Sequence, residues 1–323
     1  MRYRKLGRTG LEVSDIAQGL WGMSGWSGSE DGESLAALQL AVDSGCNFFD
    51  TAWAYGDGRS DGLLGEILGA NPGKRLYAAS KIPPLNGQWP ASPKYSYEDV
   101  FPEQHVLRYV DLIRSKLGVD AVDLLQFHVW DDSWADNPEF RKTVEKLKSN
   151  GSIKAFGLSL NRWEPANGIK AIHTGLVDAV QVIYNIFDQS PEDELFPLCQ
   201  KINIGVIARV PLDEGSLSGK MTTETRFPAD DWRSKYFGPE NLAPTLTHVE
   251  KLKQVLPGGM ALPEMALRFI LSHPAVSTTI VGMRKRQHVQ ENLALSDKGP
   301  LDPSLLAVLK VHRWDRKPET WSD

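Results

Sequence analysis

Four polar residues stand where short apolar runs end. Asp50 closes the run Asn47–Asp50, Lys81 follows Leu76–Ala79, His128 follows Asp123–Phe127, and Tyr55 lies five residues beyond Asp50. Their side chains suit one another. A tyrosine hydroxyl with a pKa of about 10 is a poor acid near neutrality. A neighbouring ammonium stabilises the phenolate and eases loss of the proton. A carboxylate beside that ammonium keeps it charged and fixed in place, and a histidine can hydrogen-bond a substrate oxygen. Together the four could polarise and protonate a carbonyl oxygen while its carbon receives a hydride. Each alone reads as a rim salt bridge or a satisfied polar group. Four mutually useful types at three successive strand ends outweigh that reading.

The elements that must bring them together follow one theme. Eight short apolar runs read as strands: Ile16–Leu20, Asn47–Asp50, Leu76–Ala79, Asp123–Phe127, Ala155–Ser159, Ala179–Ile183, Gly205–Arg209 and Thr278–Val281. Between them lie helix-like stretches, namely Glu33–Ser44, Asp61–Leu68, Glu103–Leu117, Glu139–Ser149, Pro165–Thr174, Glu192–Lys201 and Pro263–Ser272. Strands alternating with helices imply a parallel sheet under helices, and eight units fit an α/β fold of the (β/α)8 TIM-barrel type, whose sites lie at the C-terminal strand ends. The spare residues form an N-terminal β-hairpin (Tyr3–Val13), long loops after the third strand (Pro83–Pro102) and the seventh (Pro211–Pro244), and a C-terminal tail with Trp314 and Trp321. Length alone suggests two domains; without a linker or repeat, one barrel domain over residues 1–323 is the better reading. An open doubly wound sheet remains the rival, without its glycine fingerprint: Gly22, Gly25 and Gly28, or Gly56, Gly58 and Gly62, have the wrong spacing.

Composition narrows the class. The 323 residues carry 36 Lys and Arg against 41 Asp and Glu, a net charge of −5 that argues against nucleic acid as the main ligand. No apolar run reaches membrane-spanning length, and Met1–Gly10 lacks the apolar region of a signal peptide. The two cysteines, Cys46 and Cys199, read as buried thiols in a reducing compartment, most simply the cytoplasm. The segment Gly215 to Met221 misses a P-loop, no Gly-x-Ser-x-Gly elbow occurs, and the seven histidines offer no metal spacing, so a metal site is not expected.

At these residues the sequence resembles the aldo-keto reductase family over nearly its whole length. Arg4 to Ser14 is similar to the family's N-terminal hairpin, and Asn47-Phe-Phe-Asp-Thr-Ala-Trp-Ala-Tyr-Gly56 to its strand-two signature. Ala79-Ser-Lys81 and Leu125-Gln-Phe-His128 match its lysine and histidine motifs. The resemblance implies Tyr55 as general acid, Lys81 as its pKa partner, Asp50 as the anchor of Lys81 and His128 as the carbonyl orienter. It also implies a nicotinamide dinucleotide bound without the Rossmann fingerprint. Gly19 and Trp21 would approach it, beside Asp50. Ser159 and Gln181 would hold the carboxamide, and Tyr184 would stack on the nicotinamide. The loop with Pro211, Leu212, Gly215, Leu217, Gly219 and Lys220 would cover the pyrophosphate. Gly282, Arg284, His288, Glu291 and Asn292 would hold the adenosine end. Arg284 could pair with a 2′-phosphate, which favours NADP(H); a solvated charge run opening a helix is the plainer reading of Arg284-Lys-Arg286.

Three positions depart from the family pattern. Leu160 stands in place of an asparagine, with Asn161 one residue late. Arg209 replaces an aromatic before Pro-Leu, with a salt bridge in the barrel mouth or contact with the cofactor both open. His288 stands where glutamine or arginine is usual. Trp21, Trp53, Trp89 and Trp130, with Tyr55 and His128, would line the pocket of a small apolar or sugar-like carbonyl substrate. The resulting reading is an NADPH-dependent carbonyl reductase, a monomer or small homo-oligomer. The alternatives are an NADP(H)-binding regulatory subunit with slow turnover, like the potassium-channel beta subunits of this family, and a Schiff-base aldolase using Lys81.

Overall fold

The computed structural model describes residues 1–25, 28–229, 231–317 and 319. Strands β1 (Tyr3–Lys5) and β2 (Glu12–Ser14) form an antiparallel hairpin around the turn Gly7–Thr9. Eight further strands follow: β3 (Ile16–Gly19), β4 (Phe48–Asp50), β5 (Tyr77–Ile82), β6 (Val122–Phe127), β7 (Ile153–Ser159), β8 (Ala179–Ile183), β9 (Gly205–Arg209) and β10 (Thr278–Gly282). They pair in parallel in chain order, and β10 returns to β3 to close a barrel. The expected (β/α)8 TIM barrel is thus the observed fold, and an open sheet is ruled out by the β10–β3 ladder.

Closure creates two apolar cores because successive side chains on a strand point to opposite faces. Phe48, Tyr77, Ala79, Leu124, Ala155, Ala179 and Ile207 fill the barrel interior. Their neighbours one residue away, such as Phe49, Ala78, Leu125, Phe156, Val180 and Ala208, pack against the outer helices. The hairpin plugs the N-terminal end of the barrel with Leu6, Leu11 and Val13. Gly7 permits this seating: its φ is +51°, and a Cβ there would lie 2.1 Å from the Gly205 nitrogen.

The helices Asp31–Asp43, Arg59–Ala70, Glu103–Leu117, Pro138–Ser149, Leu195–Ile202 and Leu262–Ser272 lie where the helical spacing puts them. The stretch Pro165–Thr174 does not hold as one helix; only Ile169–His173 is helical. The Asn167 side chain accepts from the Asp132 amide and donates to the Trp130 carbonyl, drawing the preceding chain into turns. The segment Pro211–Pro244 is also less of a loop than expected, since Arg233–Tyr236 and Pro239–Gln254 are helical. Pro244 lies inside the second of these, where its missing N–H forfeits a single bond. In the tail, the helix Pro303–Lys310 leads to Trp314, which stacks on His248 at 4.2 Å between ring centres; Trp321 lies outside the described residues. Among the described residues, no helix is long and apolar enough to cross a membrane.

Leu6 closes the interior core with its side chain fully buried. Leu6→Ala should cost about 2–5 kcal/mol in urea unfolding; an unchanged midpoint would mean that the hairpin does not seal the barrel.

Candidate active site

Strand alternation carries a polar layer above the apolar interior. Asp50 lies two residues after Phe48, Lys81 two after Ala79, Gln126 two after Leu124, Gln181 two after Ala179 and Arg209 two after Ile207, so each follows an interior residue onto the same face. Lys81 and Asp50 are fully enclosed, with Lys81 Nζ 2.5 Å from Asp50 Oδ1 and 2.8 Å from the Thr51 carbonyl oxygen. The second carboxylate oxygen of Asp50 accepts from Gln181 Nε2 at 2.7 Å and from Gln126 Nε2 at 3.3 Å. Gly157 makes room for Gln126, whose Cγ would sit 3.2 Å from an added Cβ.

Burial opposes the charge on Lys81, but Asp50 and Tyr55 outweigh it and hold its pKa above the ordinary lysine value. Such an ammonium is no free amine, which disfavours the Schiff-base reading.

Tyr55 is placed by a tight loop after β4. Its amide donates to Ala52, Gly58 donates to Trp53, and Trp53 donates to Lys81 on β5. Gly56, at φ +69°, lets this loop pass the Ser24 carbonyl, which an added Cβ would approach to 2.2 Å. Lys81 Nζ lies 5.2 Å from the Tyr55 ring centre, and the His128 ring meets Tyr55 edge-on at 5.6 Å. Burial raises the Tyr55 pKa; Lys81 and Arg209 pull it down, while Asp50 pushes it up. The net shift is upward, contrary to the expected acidification, because burial outweighs the pull of Lys81 and Arg209, with Asp50 adding to the rise. Burial, then Lys81 and Arg209, holds His128 well below the ordinary histidine pKa, so it is neutral at neutral pH. Among the described residues, its buried Nδ1 has no hydrogen-bond partner.

Around this centre the structure sorts the other expected residues. Gly19 pairs with Gly282 across β3 and β10, and the Arg284 Cδ lies 3.8 Å from where a Gly22 Cβ would be, so Gly19, Trp21, Gly282 and Arg284 share one rim. His288, Glu291 and Asn292 lie on the next helix, Arg286–Leu293, where Glu291 accepts from Gln287. Ser159 ends β7 on the interior face, two residues after Gly157. The segment from Pro211 to Lys220 turns sharply, with left-handed backbone at Val210, Asp213, Glu214, Gly215 and Gly219. Leu217 anchors it in the core, while Lys220 is exposed. Trp89 lies edge-on to His128 at 4.6 Å and remains substantially exposed, as a pocket wall would.

Three expectations need correction. Tyr184 is not free to stack on a ligand: it is enclosed among Phe196, Phe269 and His273 in the helix layer, and its hydroxyl donates to Glu192 at 2.8 Å. Trp130 is fully buried against Phe140 and Trp134, with its Nε1 donating to Asp132, so it packs the core instead of lining a pocket. Trp53 lies against Gly58 and edge-on to Tyr109 of the outer helix, so its indole serves packing too. In each case a residue that follows a strand packs into the helix layer and not into the barrel mouth.

The displaced Asn161 ties the loop after β5 to the end of β7, bonding both backbone groups of Ala91 at 3.2 Å and donating to Glu164. Several partners in this region escaped the sequence reading. Gln126 had a usable signal, two residues before His128 on one strand face. Arg162, paired with Glu214 at 2.8 Å, and Arg316, held between Asp188 and Asp213, come from distant segments and had none.

Residues 15–312 match the sequence profile of the Aldo/keto reductase family. This chain belongs to that family. It is 27% identical over 297 residues to aldo-keto reductase YhdN of Bacillus subtilis, covering 88% of this chain and 86% of that protein. It is 26% identical over 320 residues to the NADH-specific methylglyoxal reductase of Escherichia coli, covering 91% and 93%. The aldo-keto reductase AKR11C1 from Bacillus halodurans, in its holo form, shares the fold with a TM-score of 0.77 at 23% identity over 100% of both chains. Membership makes the chain an oxidoreductase of a family that binds nicotinamide cofactors and acts on small carbonyl compounds.

The Lys81–Asp50 pair generates a stability prediction. Asp50→Asn leaves the buried ammonium without its counter-charge and should cost roughly 3–5 kcal/mol in denaturant unfolding. Adding Lys81→Met should recover part of that loss; a double variant no better than the single one would refute the pairing.

Proposed function

We propose that the protein is an NADPH-dependent reductase of small aldehydes or ketones, sugar-like ones included, with Tyr55 as the proton donor. The observation that carries this reading is the convergence of Asp50, Tyr55, Lys81 and His128 at the C-terminal end of the barrel, with Tyr55 against both Lys81 and His128.

The residues present fit a dinucleotide. Among the described residues, buried Arg209 Nε and His128 Nδ1 have no hydrogen-bond partner, the rim glycines Gly19 and Gly282 leave the edge low, and the turns from Val210 to Gly219 shape a loop beside it. In this reading Gly19, Trp21, Ser159, Gln181, Arg209 and the Pro211–Lys220 loop hold the nicotinamide and pyrophosphate. Gly282, Arg284, His288, Glu291 and Asn292 take the adenosine end. When bound, reduced nicotinamide supplies the hydride for the carbonyl carbon.

The chain's own groups do the rest. Neutral His128 donates a hydrogen bond to the carbonyl oxygen and orients it without adding charge. Lys81, kept charged by Asp50, faces the Tyr55 phenolate that remains when the hydroxyl proton passes to the substrate oxygen. Gln126 and Gln181 keep Asp50 turned toward Lys81. Trp89 shields His128 from water on the open side.

Because one relative is NADH-specific by name, the NADP preference is read from Arg284, followed by Lys285 and Arg286, and not from the family. A guanidinium on the last strand's rim suits a 2′-phosphate. The two free, buried thiols Cys46 and Cys199 support a reducing compartment such as the cytoplasm.

Tyr55→Phe should lower kcat for NADPH-driven carbonyl reduction at least about a hundredfold while dinucleotide Kd changes less than about threefold. Retained turnover would remove Tyr55 as the acid. Arg284→Ala should weaken NADPH binding about tenfold more than NADH binding; equal losses would refute a 2′-phosphate contact. The pH profile gives a separate check. With Tyr55 shifted upward and His128 well downward, the reduction rate should be flat from about pH 6 to 8. A histidine-like inflection near 6.5 that disappears in His128→Gln would contradict the neutral orienter.

A further inference from the structure

The charges at the barrel mouth do not cancel locally. Lys81 is paired with Asp50, and Arg162 with Glu214. Arg209 ends β9 on the interior face between these pairs, and among the described residues no carboxylate lies within ion-pair distance of it. Its Nη2 donates to the Leu160 carbonyl at 3.0 Å, which stretches the guanidinium from the end of β9 to the end of β7, beside Ser159 and above Gln181 of β8. Its Nε–H is buried and has no acceptor among the described residues. Burial and Arg162 lower its pKa, to about 10, against a smaller pull from Glu214, Tyr55 and Asp50, which still leaves it cationic at neutral pH.

A half-buried cation whose nearby carboxylates each hold another cation acts strongly on any charge placed next to it. An oxidised nicotinamide ring is cationic, and a reduced one is neutral. The pyrophosphate and any 2′-phosphate are common to both forms and drop out of the comparison.

We propose that Arg209 makes this site discriminate by redox state, accepting the reduced, neutral nicotinamide and disfavouring the oxidised, cationic one. The inference rests on the dinucleotide reading above and adds to it a residue that sets which form stays bound. An uncompensated charge is the working part; the unpartnered Nε–H gives the carboxamide oxygen of either form an acceptor's place. A hold weakened selectively for the oxidised form also lets that product leave after a reduction.

The test is equilibrium binding, not turnover. Kd values for NADPH, NADP+, NADH and NAD+ are measured on the full chain by tryptophan fluorescence or calorimetry, for the wild type, Arg209→Gln and Arg209→Lys. The wild type should bind the reduced form about tenfold or more tightly than the oxidised form, and Arg209→Gln should bring the two within about threefold. Arg209→Lys, which keeps the charge but changes the hydrogen-bonding shape, should retain most of the preference. A ratio unchanged in Arg209→Gln, or lost equally in Arg209→Lys, overturns the charge mechanism while leaving the dinucleotide reading intact. No binding of any of the four to the wild type overturns both.

Discussion

A lysine and an aspartate buried inside the barrel set the terms for everything around them. An isolated ammonium in such a place would lose its proton or unfold the chain. Asp50 answers its charge, the Thr51 carbonyl takes a second hydrogen bond, and Gln126 and Gln181 satisfy the remaining carboxylate oxygen. The pair is therefore enclosed and complete before any ligand arrives. Burial first, and the fields of Lys81 and Arg209 after it, set what Tyr55 and His128 carry: the tyrosine keeps its proton and the histidine stays neutral.

The barrel places this polar layer by geometry alone. A two-residue period lifts each interior position from an apolar side chain to a polar one near the C-terminal strand ends. The lower interior is closed from beneath by Leu6, Leu11 and Val13 of the hairpin. Polar residues at the top can then be buried from the sides while still facing the open mouth.

The rim is tied together by ion pairs between segments far apart in the chain. Arg162 after β7 holds Glu214 after β9, and Arg316 of the tail sits between Asp188 and Asp213 with a further bond to the Tyr236 hydroxyl. The loop that follows β9 is thus fastened from two sides, with Leu217 in the core as a third anchor. Arg209 lies within this ring, and among the described residues its hydrogen bond goes to the Leu160 carbonyl. Its position is set by strand alternation, whereas its neighbours Lys81 and Arg162 are each paired with a carboxylate.

What the sequence by itself determined was the order of strands and helices and the gathering of Asp50, Tyr55, Lys81 and His128, with the closed barrel favoured and then settled by the β10–β3 ladder. These follow from local periodicity and from the rule that strand ends converge at one face, so spacing suffices. The same rule of alternation could have revealed Gln126, two residues before His128. Facing outside the strands was another matter. Trp53, Trp130 and Tyr184 follow strands as the catalytic residues do, but loop direction and packing turned them into the helix layer. Pro165–Thr174 lost half its helix to the side chain of Asn167, and Pro244 failed to stop one. Only the tertiary structure decided these, and only it paired Arg162 with Glu214 and left Arg209 without a carboxylate among the described residues, because such contacts depend on where distant segments meet in space and not on any local spacing.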